Sequence, residues 1–191
     1  YNKTAVFTRF LQHYLGEEKM DEIMQDYYET WKFKHPYPED FQTVFEKHTN
    51  KDLSWYFDGV LKTTDYVDFS IQKKDGRYII SNEGELKVPV EVVFFGDNHK
   101  ILERRWLEGV EWRTTVDPPA NVWDAMIDPD EHMPDVNRTN NSTRKETHFH
   151  FVWDQPTYYD HDINYLPWLF SYNFYNGWTP GAVMYKGGAP G

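Results

Sequence analysis

Apolar residues recur at helical spacing over the first 66 residues and at alternate positions after them. Val6, Phe7, Phe10, Leu11, Tyr14 and Leu15 line one face of a helix over residues 1–15. Gly16 stands where a helix C-cap wants a residue free to take positive φ. Glu17 and Glu18 suit the first turn of a second helix that runs to about Lys34. Its apolar face is Met20, Ile23, Met24, Tyr27, Tyr28 and Trp31. His35-Pro36-Tyr37-Pro38 breaks that helix, since proline lacks an N–H and restricts the residue before it. A third helix starts at Pro38, with Glu39 and Asp40 in its first turn and Phe41, Val44, Phe45 and His48 inward. Asn50 or Asp52 caps a fourth that buries Leu53, Tyr56, Phe57, Val60 and Leu61. Four antiparallel helices with short connections make a small bundle or a helical-repeat array.

From Tyr66 the period becomes two, with Val67, Phe69 and Ile71 alternating with Asp68, Ser70 and Gln72. Asp75-Gly76 is a tight hairpin turn into Arg77–Ile80. Further strands are expected at Leu86–Phe95, Lys100–Leu107, Val110–Val116 and Asn121–Ile127. Six short strands at this spacing predict an antiparallel β-sandwich, with Pro89 at an edge or a bulge. Past Asp128 the pattern fades into a surface segment or linker rich in Asn and Thr. The last forty or so residues are aromatic and full of turn formers, and are expected as short strands packed against something beyond Gly191. The expected fold class is therefore α+β: an antiparallel helical bundle or array over 1–66, a β-sandwich over 67–128, and a linker with an irregular aromatic-rich tail over 129–191.

Composition narrows the partners. The 191 residues include 8 Trp, 14 Tyr and 13 Phe, which favours packed domains over disorder. Net charge is −11, which disfavours nucleic acid and anionic membrane surfaces. No cysteine is present, so disulfides, thiolate catalysis and thiolate metal sites are excluded. No apolar run reaches the length of a transmembrane segment. The first residue, Tyr1, already belongs to a regular element and no methionine precedes it. We therefore expect the sequence to be a piece of a longer protein.

Candidate chemistry is sparse. None of the eight histidines sits in an H-E-x-x-H pattern. His148 and His150 would share one strand face and could meet a metal, although strand alternation alone explains the pair. Asp160-His161-Asp162 reads more simply as a solvated turn. There is no phosphate-binding glycine loop and no G-x-S-x-G elbow. Four glycosylation acceptor patterns begin at Asn2, Asn137, Asn140 and Asn141. Glu17, Glu18, Asp21, Glu22, Asp26 and Glu29 fall opposite the apolar face of the second helix and read as a solvated surface.

The helical region resembles the C-terminal side of the M1 family of zinc aminopeptidases. Tyr1-Asn2-Lys3-Thr4-Ala5 is similar to the family's Tyr-x-Lys-Gly-Ala stretch, with Thr4 in place of the usual Gly. An aromatic-lined helix ending in Leu15-Gly16-Glu17-Glu18 follows. Tyr27 with Phe33–Phe41 resembles the inter-helix segment, and Phe45-Glu46 with Asp52–Phe57 resembles the next helix. In the family a β-domain can follow, which residues 67 to 127 would suit. The aromatic tail is similar to a further β-region of certain envelope-associated relatives.

The resemblance implies that Tyr1 matches the tyrosine whose hydroxyl stabilises the oxyanion formed as zinc-bound water attacks the peptide carbonyl. It implies zinc and a peptide substrate in the parent protein, with ligands and general base upstream and the upstream catalytic domain as partner. Residues 1–191 would be a non-catalytic C-terminal portion that walls the active-site cleft, binding no zinc stoichiometrically. A periplasmic or envelope location is implied as well. The alternative is a non-catalytic interaction module of a peptidase-like envelope protein, with the aromatic tail as its contact surface. Carbohydrate binding by exposed Trp and Tyr is a third reading.

Overall fold

A computed structural model describes residues 2–144, 149–151, 163–175 and 177–186. Tyr1, His148 and the Asp160-His161-Asp162 turn lie outside the described residues.

Helix α1 (Asn2–Leu15) buries Phe7, Phe10, Leu11 and Tyr14. Each such side chain contributes about 1.5–3 kcal/mol by leaving water. Gly16 takes φ +88° and turns the chain at once into α2 (Glu17–Trp31). Helix α3 (Pro38–Thr49) opens with Pro38 in its first turn, and the Tyr37 N–H donates to Asp40 Oδ2 at 2.8 Å. Asn50 closes α3 in the left-handed region, and neither it nor Asp52 caps the fourth element, whose N-cap is Ser54 with no side-chain cap bond; Asp52 Oδ1 accepts the Ser54 N–H at 2.9 Å in the turn before it. That fourth element is wider than an α-helix: Trp55–Val60 is a π-helical turn, with Tyr56, Phe57 and Val60 buried. Phe41, Phe45 and Phe57 meet edge-to-face at 4.8–6.0 Å and join α3 to this turn.

The apolar faces are narrower than the sequence pattern suggests. Val6, Met24, Tyr28 and Leu61 are exposed. Helix α2 buries only Met20 and Ile23, with Tyr27 packed on Phe41, so Met24 and Tyr28 lie on the flank of a thin stripe.

Six strands follow: β1 (Phe69–Lys74), β2 (Arg77–Asn82), β3 (Val90–Phe95), β4 (Ile101–Leu107), β5 (Arg113–Val116) and β6 (Asp124–Ile127). They form two three-stranded antiparallel sheets, ordered β1-β2-β5 and β4-β3-β6. Asp75 and Gly76 turn β1 into β2 with φ +50° and +77°. Tyr78 of β2 meets Phe94 of β3 edge-to-face at 5.5 Å, and both sheets feed the same apolar cluster as the helices. Pro89 corrects one expectation. Strand β3 is central, and Pro89 stands one residue before it, where no ladder bond needs its missing N–H. The bulge lies at Phe94/Phe95 instead.

The stretch after β6, expected as a surface segment, carries buried Asp128, Met133, Asp135 and Asn141. It is held by side-chain carboxylates. Asp135 accepts the Phe69 N–H on Oδ2 at 2.9 Å and the Asn137 N–H on Oδ1 at 2.8 Å. The Val136 N–H donates to Val67 O at 3.0 Å and the Ile127 N–H to Asn141 O at 2.7 Å. The Asn141 side chain is fully buried and donates to Asp135, so this acceptor pattern is closed to a glycan in the folded chain.

The aromatic tail is more regular than expected. β7 (Phe149–Phe151) runs parallel to β8 (Ile163–Asn173), which pairs antiparallel with β9 (Gly177–Lys186). Pro167 lies within β8, and Pro180 and Gly181 lie within β9; the two strands meet where Asn173 pairs with Gly177. Tyr172, Phe174, Tyr175 and Trp178 are exposed there. Among the described residues no helix is long and apolar enough to cross a membrane.

Candidate functional site at the seam of helix α1 and the sheets

Helix α1 lies against β4. Trp106 of β4 packs on Phe10, His13 and Tyr14 with ring centroids 5.0–6.1 Å apart. The seam therefore delivers the last turn of α1 to polar groups from β3, β4 and the loop after β6, and two polar clusters form there.

The first cluster is centred on Asp128. It follows β6 directly, at φ +44°, and is 1 % exposed. Its Oδ1 accepts the His132 N–H at 3.0 Å and its Oδ2 accepts the Met133 N–H at 2.7 Å. Arg138 Nη1 donates to Oδ2 at 3.3 Å. One carboxylate thus folds residues 128–133 into a compact loop. Burial pushes the Asp128 carboxyl above its ordinary range, against the pull of those two N–H groups and of Arg138. The loop presents His132, whose ring stacks face to face on His13 with centroids 3.9 Å apart. His13 Nε2 lies 3.4 Å from Oε2 of Glu91, a buried residue of β3. Arg104 Nη1 donates to both Glu91 oxygens at 3.1–3.2 Å, and its Nη2 reaches Asp130 at 2.6 Å. A pocket of about 580 Å³ opens over the pair, lined by Arg9, His13, Glu17, Asp130, Glu131 and His132.

The second cluster is Tyr14, Lys51 and Glu108. Tyr14 Oη donates to Glu108 Oε1 at 2.5 Å, and Lys51 Nζ donates to both at 2.8 and 2.9 Å. Burial, with the bond to Glu108, raises the phenol's pKa above its usual value, so Tyr14 stays protonated and acts as a donor. The Tyr14 and Lys51 hydrogen bonds hold Glu108 below the usual carboxylate range. This cluster borders a second pocket of about 550 Å³ with an acidic rim that includes Asp52, Asp58, Asp65 and Glu85.

The candidates named from sequence are placed as follows. Tyr1, the expected oxyanion donor, is outside the described residues. His150 is paired in register with Asn164 through its backbone. Asp26, expected on a solvated face, reaches across to α3: His48 Nε2 and Lys47 Nζ lie 2.7 and 2.9 Å from Oδ2. The sequence offered only His148 and His150 as a pair that could meet a metal, whereas the fold brings ligand atoms of His13, Asp128 and His132 within 4.8 Å of one another. A signal for part of this was present in the four-residue spacing of Asp128 and His132. His13 carries no such mark, because it is one polar position beside an apolar helix face. The imidazoles, carboxylates, phenol and ammonium of the two clusters can accept protons, donate hydrogen bonds and bind cations.

The fold and these clusters define a class: helices followed by antiparallel sheets, with a polar seam between them. No known family model and no curated protein matches the sequence. Among solved structures the chain is similar to aminopeptidase A of Legionella pneumophila in complex with aspartic acid, with a TM-score of 0.53 and 13 % identity. The likeness covers 71 % of this chain and 17 % of that one, so the chain spans about a sixth of that protein's length.

Proposed function

We propose that this chain is the post-catalytic part of an M1-type zinc aminopeptidase-like protein. In that reading α1 to α3 and the π-helical turn wall one side of the active-site cleft. The two sheets pack as a β-sandwich and buttress the helices against the upstream catalytic domain. The observation that carries it is the likeness in fold to an aminopeptidase over 71 % of the chain. It agrees with the ordered run of family-like stretches from Tyr1 to Phe57. Tyr1 is the group that would touch the reaction, its phenol donating to the oxyanion of a peptide substrate. The zinc that polarises the attacking water would be held upstream, since no H-E-x-x-H occurs in this sequence. An envelope or periplasmic location belongs to the same proposal.

The test is release of an N-terminal residue from aminoacyl substrates. The longer protein should hydrolyse them in a zinc-dependent way, and the 191-residue chain alone should not. In the longer protein Tyr1→Phe should lower kcat by roughly 10²–10³, the effect of removing one oxyanion donor, with a small change in KM. Zinc-dependent release by the 191-residue chain alone, or a Tyr1→Phe enzyme of unchanged kcat, would overturn the proposal.

A further inference from the structure

We propose that His13, Asp128 and His132 form a binding site for one divalent ion of the zinc class, and that the ion pins helix α1 to the loop after β6. The site is separate from the catalytic zinc of the peptidase reading, because all three ligands belong to this chain and none to the expected catalytic motif, and it replaces the expectation that residues 1–191 bind no zinc stoichiometrically.

The donor set is two imidazoles and one carboxylate, which suits zinc and its first-row neighbours. Their ligand atoms lie within 4.8 Å of one another before any ion is added. His132 supplies the most direct pointer. Among the described residues its buried Nδ1 has no hydrogen-bond partner. It stands 4.0 Å from Asp128 Oδ1. That distance is too long for a hydrogen bond, and a closure of about 0.7 Å brings it to the roughly 3.3 Å that separates two ligands of a tetrahedral ion with bonds of about 2.0–2.1 Å. A buried polar atom left without a partner costs stability, and an ion between these two atoms would remove the cost.

The surroundings are prepared for a cation. The Met133 N–H and Arg138 hold Asp128 Oδ2, while the His132 N–H fixes Oδ1 on the side of the imidazole. The carboxylate is therefore oriented in advance. Glu91 Oε2 sits 3.4 Å from His13 Nε2. A carboxylate there takes the Nε2–H and leaves Nδ1 unprotonated, the usual outer-shell arrangement for a ligating histidine. Glu17, Glu91, Asp128, Asp130 and Glu131 are opposed by Arg9, Arg104 and Arg138, so carboxylates outnumber guanidiniums around the pair. The pocket above His13 and His132 admits the ion and a water as fourth ligand. The two rings are parallel, within 5°.

The experiment is zinc titration of the untagged 191-residue chain by calorimetry, with thermal melts in parallel and Co²⁺ absorption as a report of coordination. We expect one ion per chain, a rise in Tm with zinc, and a tetrahedral Co²⁺ spectrum. His132→Ala and His13→Ala should each weaken binding at least about tenfold and abolish the Tm rise, and Glu91→Gln should weaken it roughly tenfold. Because His132 Nδ1 makes no bond in the fold, His132→Ala should melt close to wild type when no metal is added. A His148→Ala/His150→Ala double variant should bind as wild type. Absence of saturable binding, binding that survives His132→Ala, or binding lost only in the double variant would each overturn the proposal.

Discussion

Asn82 sits at the end of β2 and is 7 % exposed. Its Nδ2 donates to Leu86 O at 3.0 Å and to Val110 O at 3.2 Å, while its Oδ1 accepts the Gly84 N–H at 3.0 Å. One side chain thus ties together two loops that approach the sheet from different parts of the chain. Asn82→Asp keeps the shape and the acceptor but replaces the double donor with an oxygen. Two buried carbonyls then face a negative charge. Each unsatisfied buried group costs about 1–3 kcal/mol, so the loss at neutral pH is about 2–6 kcal/mol, a large share of a stability of about 5–15 kcal/mol. For a chain of this size a loss of about 3 kcal/mol lowers Tm by roughly 6–12 °C. The loss depends on pH. Burial among carbonyls raises the folded pKa of the new carboxyl above its unfolded value of about 3.9. The penalty is therefore full above the folded pKa and shrinks as pH falls through it, when the protonated carboxyl regains one donor. Urea melts of wild type, Asn82→Asp and Asn82→Ala at pH 8 and pH 5 measure this. The deficit of Asn82→Asp should narrow on acidification, and that of Asn82→Ala should not. Equal midpoints for wild type and Asn82→Asp, or a deficit that widens at pH 5, would refute the reasoning.

Gly84→Ala should destabilise the fold by about 1–3 kcal/mol in the same assay, because its Cβ would stand 2.7 Å from the Asp68 nitrogen and the Tyr66 oxygen, both rigid backbone atoms. Asp26, bonded by His48 and then Lys47, has a carboxyl depressed to about 2. Its folded pKa lies below the unfolded value, so its stabilising contribution is present above pH ~4 and is lost as pH falls toward 2. Carboxyl chemical shifts should show this titration, and His48→Ala should move it up toward ~3.9; an unmoved midpoint would remove His48 as the cause.

Which features the sequence revealed follows from how local their causes are. Helices α1 to α3, the Gly16 joint and the Asp75-Gly76 turn each rest on a few neighbouring residues whose spacing or φ preference is visible directly. The six strands of the two sheets were visible for the same reason. The π-helical widening at Trp55–Val60 carries no such mark, since its apolar spacing also fits an α-helix. The loop after β6 read as surface because Asp128, Asp135 and Asn141 are polar. Backbone N–H donors make the burial of the two aspartates possible, including one to Asp135 from Phe69, 66 residues away, and Asn141 donates to Asp135. The polar seam was hidden for a related reason: His13 and His132 are far apart in sequence and meet only because Trp106 carries α1 onto β4.

The bond from the Phe69 N–H to Asp135, with the Val136 N–H to Val67 O, returns the chain to the start of its first strand. Strand β1 is an outer strand of its sheet, and an outer strand with free N–H and C=O groups is a template for other chains. Here the chain supplies its own plug. The plug comes late in sequence, so on a ribosome β1 and β2 are made long before residues 133–141 arrive to seal the margin. Until then the margin is open, and the interval is set by the length of chain between Phe69 and Asp135. The polar loop after β6 therefore closes the entry end of this margin, at Val67 and Phe69, only once most of the described chain has been made.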